Sequence, residues 1–157
     1  MELFISSGEI AIRLALAIVM GGLLGFEREY HHKAAGLRTH MMVALGAATF
    51  TLISLELVAR VAAEGSESAA RVDPMRLVSG IVGGVGFLGA GAIIQGRGSV
   101  EGLTTAGSLW FVASVGVAIG GGHYVIAGLA VAAGLVVLTG MQLLKRYLPE
   151  SEEEGGA

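Results

Sequence analysis

The residues with the clearest chemical potential are few. His31-His32, with Glu27, Glu29 and His40 nearby, offers the ligand types of a metal site. The spacing is not that of an H-E-x-x-H helix, and adjacent histidines point to different sides of a helix. The competing reading is a set of interfacial histidines on a wet loop, and no metal site is assigned. Glu56 and Arg60 stand four apart, the spacing of an intrahelical ion pair. Such a pair inside an apolar span is a functional candidate by default, or a structural pair whose Arg snorkels to the boundary. Arg13 carries the same two readings. Gly84-x-Gly86-x-x-Gly89 matches the dinucleotide fingerprint as a string, but it lies in an apolar helix rather than after a strand, and is rejected. The chain has no cysteine, which removes disulfides, thiol catalysis and cysteine-ligated metals. Neither a nucleophile–base pair nor a phosphate loop appears, so no enzyme activity and no cofactor are expected.

A second group gathers at what the topology makes one boundary. Glu27 and Arg28 close the first helix, Gly36-Leu37-Arg38-Thr39 opens the second, and Gly102-Leu103-Thr104-Thr105 opens the fourth. Thr39, Thr104 and Thr105 are suited to cap their helices, with positive dipole ends facing outward from the bundle. Two readings stand: helix caps alone, or a polar site at the mouth of a packed bundle.

The elements that hold these residues follow from composition. The 157 residues are 54% apolar and 15% charged, with mean hydropathy +0.73 and 26 glycines. Collagen is excluded because no G-x-y period accompanies the glycine, and disorder is excluded by the apolar excess. A net charge of −3 gives no footprint for nucleic acid. Five stretches, 10–26, 41–61, 77–94, 103–119 and 124–144, contain only Arg13, Glu56 and Arg60 as charged residues. Each has the length that crosses a hydrocarbon core of ~30 Å, and none carries charge on one face as a soluble helix would. The sequence therefore predicts an all-α polytopic bundle of five transmembrane helices over 1–148, with the lipid bilayer as its partner. An acidic disordered tail is expected over 149–157. Lys and Arg in the loops lean toward an outer N-terminus and a cytoplasmic C-terminus. The first helix lacks a basic leader and is read as retained.

Glycine spacing describes the packing. Gly21/Gly25, Gly80/Gly84 and Gly116/Gly120 are small-xxx-small pairs, with Ala44/Ala48 as an analogue, and such faces let helix backbones approach closely. The third helix, with Gly80, Gly83, Gly84, Gly86, Gly89 and Gly91, is expected to be the central one, or else to be broken at its glycines. Self-association through glycine faces is expected. The Gly-Leu-x-Thr turns at 36–39 and 102–105 also suggest a parallel repeat of two helix–loop–helix units. Asp73-Pro74 reads as an N-cap followed by proline at the first helical position.

Several strings together resemble the MgtC/SapB family of bacterial inner-membrane proteins. They are Gly25-Phe26-Glu27-Arg28-Glu29, Ala35-Gly36-Leu37-Arg38-Thr39-His40, Asp73-Pro74-x-Arg76, Gly86-Phe87-Leu88-Gly89-Ala90-Gly91 and Gly102-Leu103-Thr104-Thr105-Ala106. The resemblance implies a multi-helix inner-membrane domain without established catalytic activity. It places the family's polar signature on Glu27, Arg28, Arg38, Thr39, Thr104 and Thr105 at the cytoplasmic face, and on Asp73 and Arg76 at the outer side. The virulence-associated branch is linked to growth at low magnesium and to restraint of the F-type ATP synthase. That branch carries a soluble C-terminal domain, whereas this chain ends soon after its fifth helix. Gln95 stands where the family often has a basic residue, and Gly107-Ser108 replaces a common alanine–threonine pair. These departures bear on the ATP-synthase role and leave the membrane domain intact. The expected function is regulation of a membrane partner complex in magnesium homeostasis or stress, with cation (Mg²⁺) transport as the alternative.

Overall fold

In the computed structural model, residues 3–63, 73–96 and 99–145 are described. The expected tail over 149–157 lies outside them, as do the loop residues Arg71, Arg97 and Arg146 that count toward the predicted orientation. Helix α1 (Ser7–Tyr30) starts where the Ser6 hydroxyl accepts the Glu9 N–H at 3.2 Å, removing one of the amides a helix start leaves open. At its other end the His31 N–H donates to the Glu27 carbonyl at 3.2 Å, and His32 turns the chain with φ 52°. Helix α2 (Leu37–Ala63) follows after a short loop. Helix α3 (Pro74–Ala92) begins as the sequence indicates: Asp73 accepts the Met75 N–H at 2.9 Å and proline takes the first turn.

Strands β1 (Ile94–Gly96) and β2 (Ser99–Glu101) then form an antiparallel hairpin, Gln95 opposite Val100, between α3 and α4. Helix α4 (Leu103–Gly120) starts at Gly102, φ 87°. A side chain there would meet the Ala92 carbonyl, so this link between hairpin and helix requires glycine. Helix α5 (Tyr124–Lys145) is the last element among the described residues. Among the described residues, four helices, α1 to α4, are long and apolar enough to cross a membrane. The apolar part of α5 spans Tyr124–Gly140. At 1.5 Å per residue α1 is about 36 Å long, enough to cross with its polar ends outside.

The core lies among α1, α2, α4 and α5, on Ala17, Leu24, Ala44, Ala48, Val112, Val115, Ile119, Ala127 and Val131. Small residues set its geometry. A Cβ at Gly21 would stand 2.8 Å from both Ala44 Cβ and the His40 carbonyl oxygen, and one at Gly25 2.8 Å from Leu37 Cα. On the opposite flank, a Cβ at Gly116 would strike the Ala44 carbonyl, and one at Gly120 would come within 2.7 Å of the Ala48 carbonyl. The backbone of α2 is thus held between the glycine faces of α1 and α4. Lipid tails are as apolar as these side chains, so close packing rather than the hydrophobic effect supplies the attraction.

The central helix is therefore α2, not α3. Helix α3 is unbroken and lies at the edge, touching the core through Val85 against Ala47 and Ala113. Built Cβ atoms at Gly80, Gly83, Gly84, Gly86 and Gly91 meet nothing within 4 Å; only Gly89 is packed, with Ala106 Cβ at 3.5 Å. Glycine spacing marks where a backbone can be approached, and it does not say which neighbour does so. His40 faces Ser108 and Ala44 faces Gly116, so α2 and α4 run parallel with both Gly-Leu turns at one end.

Two substitutions separate the packed glycines from the open ones. Gly116→Ala drives its Cβ into the Ala44 carbonyl and should lower unfolding free energy by about 1–3 kcal/mol. Gly84→Ala should be neutral, or stabilising by up to about 1 kcal/mol through helix propensity. Thermal unfolding in detergent micelles checks both.

Candidate functional site

The end of the bundle that holds both Gly-Leu turns is the polar one. Glu27 and Arg28, in the last turn of α1, are both buried, and Arg28 is only 2% exposed. Its Nη1 donates to Glu27 Oε2 at 3.4 Å, while its Nε, also shielded from solvent, has no hydrogen-bond partner among the described residues. His31 Nε2 lies 3.7 Å from Glu27 Oε1, one turn on. The Leu37 N–H, at the start of α2, donates to Glu29 Oε2 at 2.7 Å. That carboxylate fills the positive end of the helix dipole. Gly36 leaves the space for it, since a Cβ there would lie 2.6 Å from Glu29 Oε2.

The start of α4 is built differently. Gly102 provides no side-chain cap, and the first backbone bond of this turn runs from the Ala106 N–H to the Gly102 carbonyl at 2.8 Å. Thr104 and Thr105 do not cap it. Thr104 is exposed, while Thr105 is buried and its carbonyl accepts from the Ser108 hydroxyl at 2.8 Å. A cavity of about 730 Å³ opens here, lined by Arg28, His31, Lys33, Thr104 and Thr105 among others. Arg38 and Thr39 are exposed; Thr39 instead borders the groove between α2 and α3, with Arg76 on the same groove. The structure thus unites Arg28, Thr104 and Thr105, and separates them from Arg38, Thr39, Asp73 and Arg76.

Between the two turns lies a buried hydrogen-bond chain that the sequence did not signal as a unit. His40 is fully buried, with Nδ1 2.9 Å from the Gly36 carbonyl oxygen and Nε2 3.0 Å from Ser108 Oγ. A carbonyl can only accept, so Nδ1 carries a proton. A neutral ring then accepts the Ser108 proton at Nε2; a protonated ring donates to Ser108, whose proton turns to the Thr105 carbonyl. Either arrangement ties α2 to α4. Nothing in a one-dimensional reading pairs residues so distant in sequence, although a lone polar pair in apolar helices was a usable signal.

The intramembrane pair Glu56–Arg60 does not form. The Glu56 carboxylate instead accepts the Phe4 N–H at 3.1 Å and the Ile5 N–H at 2.7 Å, fastening the segment before α1 to α2. These two amides precede the helix and have no ladder partner, so they satisfy the buried charge better than a flexible Arg at a helix end. Arg13 is likewise structural: Nη1 donates to the Gly120 carbonyl at 2.7 Å, and Nε to Glu9 Oε1 at 2.9 Å. It closes the C-terminus of α4, and Tyr124 also donates to Glu9 there. Among the described residues, no three His, Asp or Glu side chains gather to hold a metal ion.

An unbroken apolar bundle with a polar cluster at the helix ends defines a multi-pass helical membrane protein. The chain matches the family model described as MgtC family over residues 14–147. It belongs to that family. It is similar to Protein MgtC of Brucella abortus, 47% identical over 117 residues, which are 74% of this chain and 44% of the relative. It is also similar to the Putative magnesium transporter YhiD of Escherichia coli, 41% identical over 118 residues (75% and 54%). Protein SrpB of Synechococcus elongatus is 35% identical over 156 residues, with 92% of this chain and 82% of that protein covered. The chain thus spans about half the length of the first two relatives. No solved structure matches it.

The buried chain has a direct test. Ser108→Ala leaves His40 Nε2 without a partner and should cost about 1–3 kcal/mol of stability. Ser114→Ala removes an exposed hydroxyl and should change it by less than ~0.5 kcal/mol. Thermal unfolding of both variants in the same detergent measures the difference.

Proposed function

We propose that this protein is a non-enzymatic regulator in the bacterial inner membrane that binds a transmembrane helix of a partner complex in magnesium homeostasis or stress. The observation that supports this most is the open glycine face of α3. Between α2 and α3 runs an apolar groove of about 610 Å³, bordered by Gly46, Phe50, Gly80, Gly84 and Leu88, with Arg76 as its charge. Helices in lipid associate through small-residue faces that admit a second backbone. Among the described residues nothing packs on Gly80 or Gly84 within 4 Å, while Gly21 and Gly25 of α1 and Gly116 and Gly120 of α4 are already in use. The same face suits a second copy of this chain, so a homo-oligomer belongs to the reading. The N-terminus outside and the C-terminus in the cytoplasm follow the loop charges. By family resemblance, the F-type ATP synthase is the first complex to probe.

The Escherichia coli relative, named as a putative magnesium transporter, favours a second reading, cation transport. Mg²⁺ keeps several waters and is held mainly by carboxylates. Glu56, a carboxylate inside an apolar span, is engaged by the Phe4 and Ile5 amides. A widely hydrated path would need no such ligand.

In-cell crosslinking followed by affinity capture from native membranes separates the readings. A specific membrane complex should be enriched with wild type and reduced at least about tenfold with Gly84→Leu, as expected when one central contact of a helix interface is lost. Gly84 has no neighbour, so the variant should express and unfold normally. Self-crosslinks alone would contradict the regulator reading in favour of self-assembly. Mg²⁺ flux into liposomes that Glu56→Gln abolishes would contradict it in favour of transport.

A further inference from the structure

The cavity at the start of α4 gathers positive charge. Arg28 and Lys33 line it, His31 stands beside them, and the uncapped first turn of α4 adds its dipole and its amides. The matching turn of α2 has its carboxylate, Glu29. Glu27 offsets part of the charge by bonding Arg28 Nη1, yet Arg28 Nε, on a side chain more than nine-tenths buried, has no partner among the described residues. A buried donor left unpaired is costly, and Arg28 is among the residues that line this cavity. Helix N-termini with an adjacent guanidinium bind phosphate oxygens.

The cavity is not closed on its apolar side. It shares Thr104, Val137 and Leu138 with a second groove of about 340 Å³ between α4 and α5, which continues along Leu24, Phe111 and Gly134. We propose that this is a binding site for an anionic phospholipid, with its phosphate against Arg28 and the α4 N-terminus and one acyl chain in the α4–α5 groove. A free phosphate fits the head of this site but leaves the groove empty. The depth agrees with a lipid: the head lies at the helix ends, where the phosphates of one leaflet sit, and the groove runs into the apolar span. The site is on a different face from the α2–α3 groove, so it stands or falls independently of the regulator reading.

The test uses the full chain, delipidated in mild detergent and titrated by native mass spectrometry. The probes are phosphatidylglycerol, phosphatidylcholine with the same acyl chains, and inorganic phosphate. Phosphatidylglycerol should form a saturable one-to-one adduct roughly tenfold tighter than phosphatidylcholine, and Arg28→Gln should weaken it by roughly tenfold, the scale of one charged hydrogen bond. Lys33→Gln, at an exposed position, should weaken it a few-fold and keeps the test decisive if Arg28→Gln misfolds. Gly107→Leu fills the groove from a position where a Cβ meets nothing within 4 Å, and should displace the lipid while the protein folds normally. Equal retention of the two lipids with no effect of Lys33→Gln would overturn the site. Inorganic phosphate binding as tightly as phosphatidylglycerol, unaffected by Gly107→Leu, would overturn the lipid as its occupant.

Discussion

The close approach of three backbones is the constraint on which the rest of this molecule depends. Ala44 of α2 has its Cβ against Gly21 of α1 and its carbonyl against Gly116 of α4. One residue of α2 is therefore held from both sides, with no room for a methyl group on either neighbour. In water such contacts would add to a hydrophobic core. In a bilayer, where leaving lipid for protein gains nothing from water, they are the attraction itself. Larger residues at Gly21 or Gly116 would push α1 or α4 outward and loosen everything hung from them.

That clamp fixes the polar end. Because α1 and α4 meet α2 at glycine, the α1 C-terminus and the starts of α2 and α4 converge within hydrogen-bond range of one another. His40 can then reach Ser108, and Arg28 is buried under the first turn of α4. The two Gly-Leu turns are alike in sequence but differ in what fills their positive ends, Glu29 at one and a cationic cavity at the other. The opposite end is held by similar means, with Glu56 taking two backbone amides and Arg13 closing the end of α4. Ionisable groups in these spans thus satisfy backbone that has left the helical ladder.

Much of this was legible in the sequence, and the rest was not for definite reasons. Five helices and most of their boundaries follow from charge-free length, and the Asp73-Pro74 start from local capping chemistry, because both are properties of a short window. Which helix is central is a property of pairs. The glycines of α3 and those of α1 and α4 look alike as strings, and only tertiary contact distinguishes a filled face from an open one. The same holds for Glu56: its spacing from Arg60 suggested a local partner, whereas its partners are Phe4 and Ile5, about fifty residues away. Arg28, Thr104 and Thr105 were placed at one boundary by the sequence together with Arg38 and Thr39, which the structure sets apart, whereas Lys33 and His31 joined them only through the folding back of the α1–α2 loop.

The absence of cysteine makes single-cysteine spin labelling clean, and it gives the most direct measurement of whether α2 is clamped while the α3 face stands open. Labels would be placed singly at Gly80, Gly84, Val85 and Ala113, and oxygen accessibility read for the purified protein in lipid nanodiscs. The structure predicts mobile, oxygen-accessible labels at Gly80 and Gly84, and immobile, protected ones at Val85 and Ala113. Protected labels at Gly80 and Gly84 in particles shown to hold a single copy would place α3 inside the bundle and contradict this account.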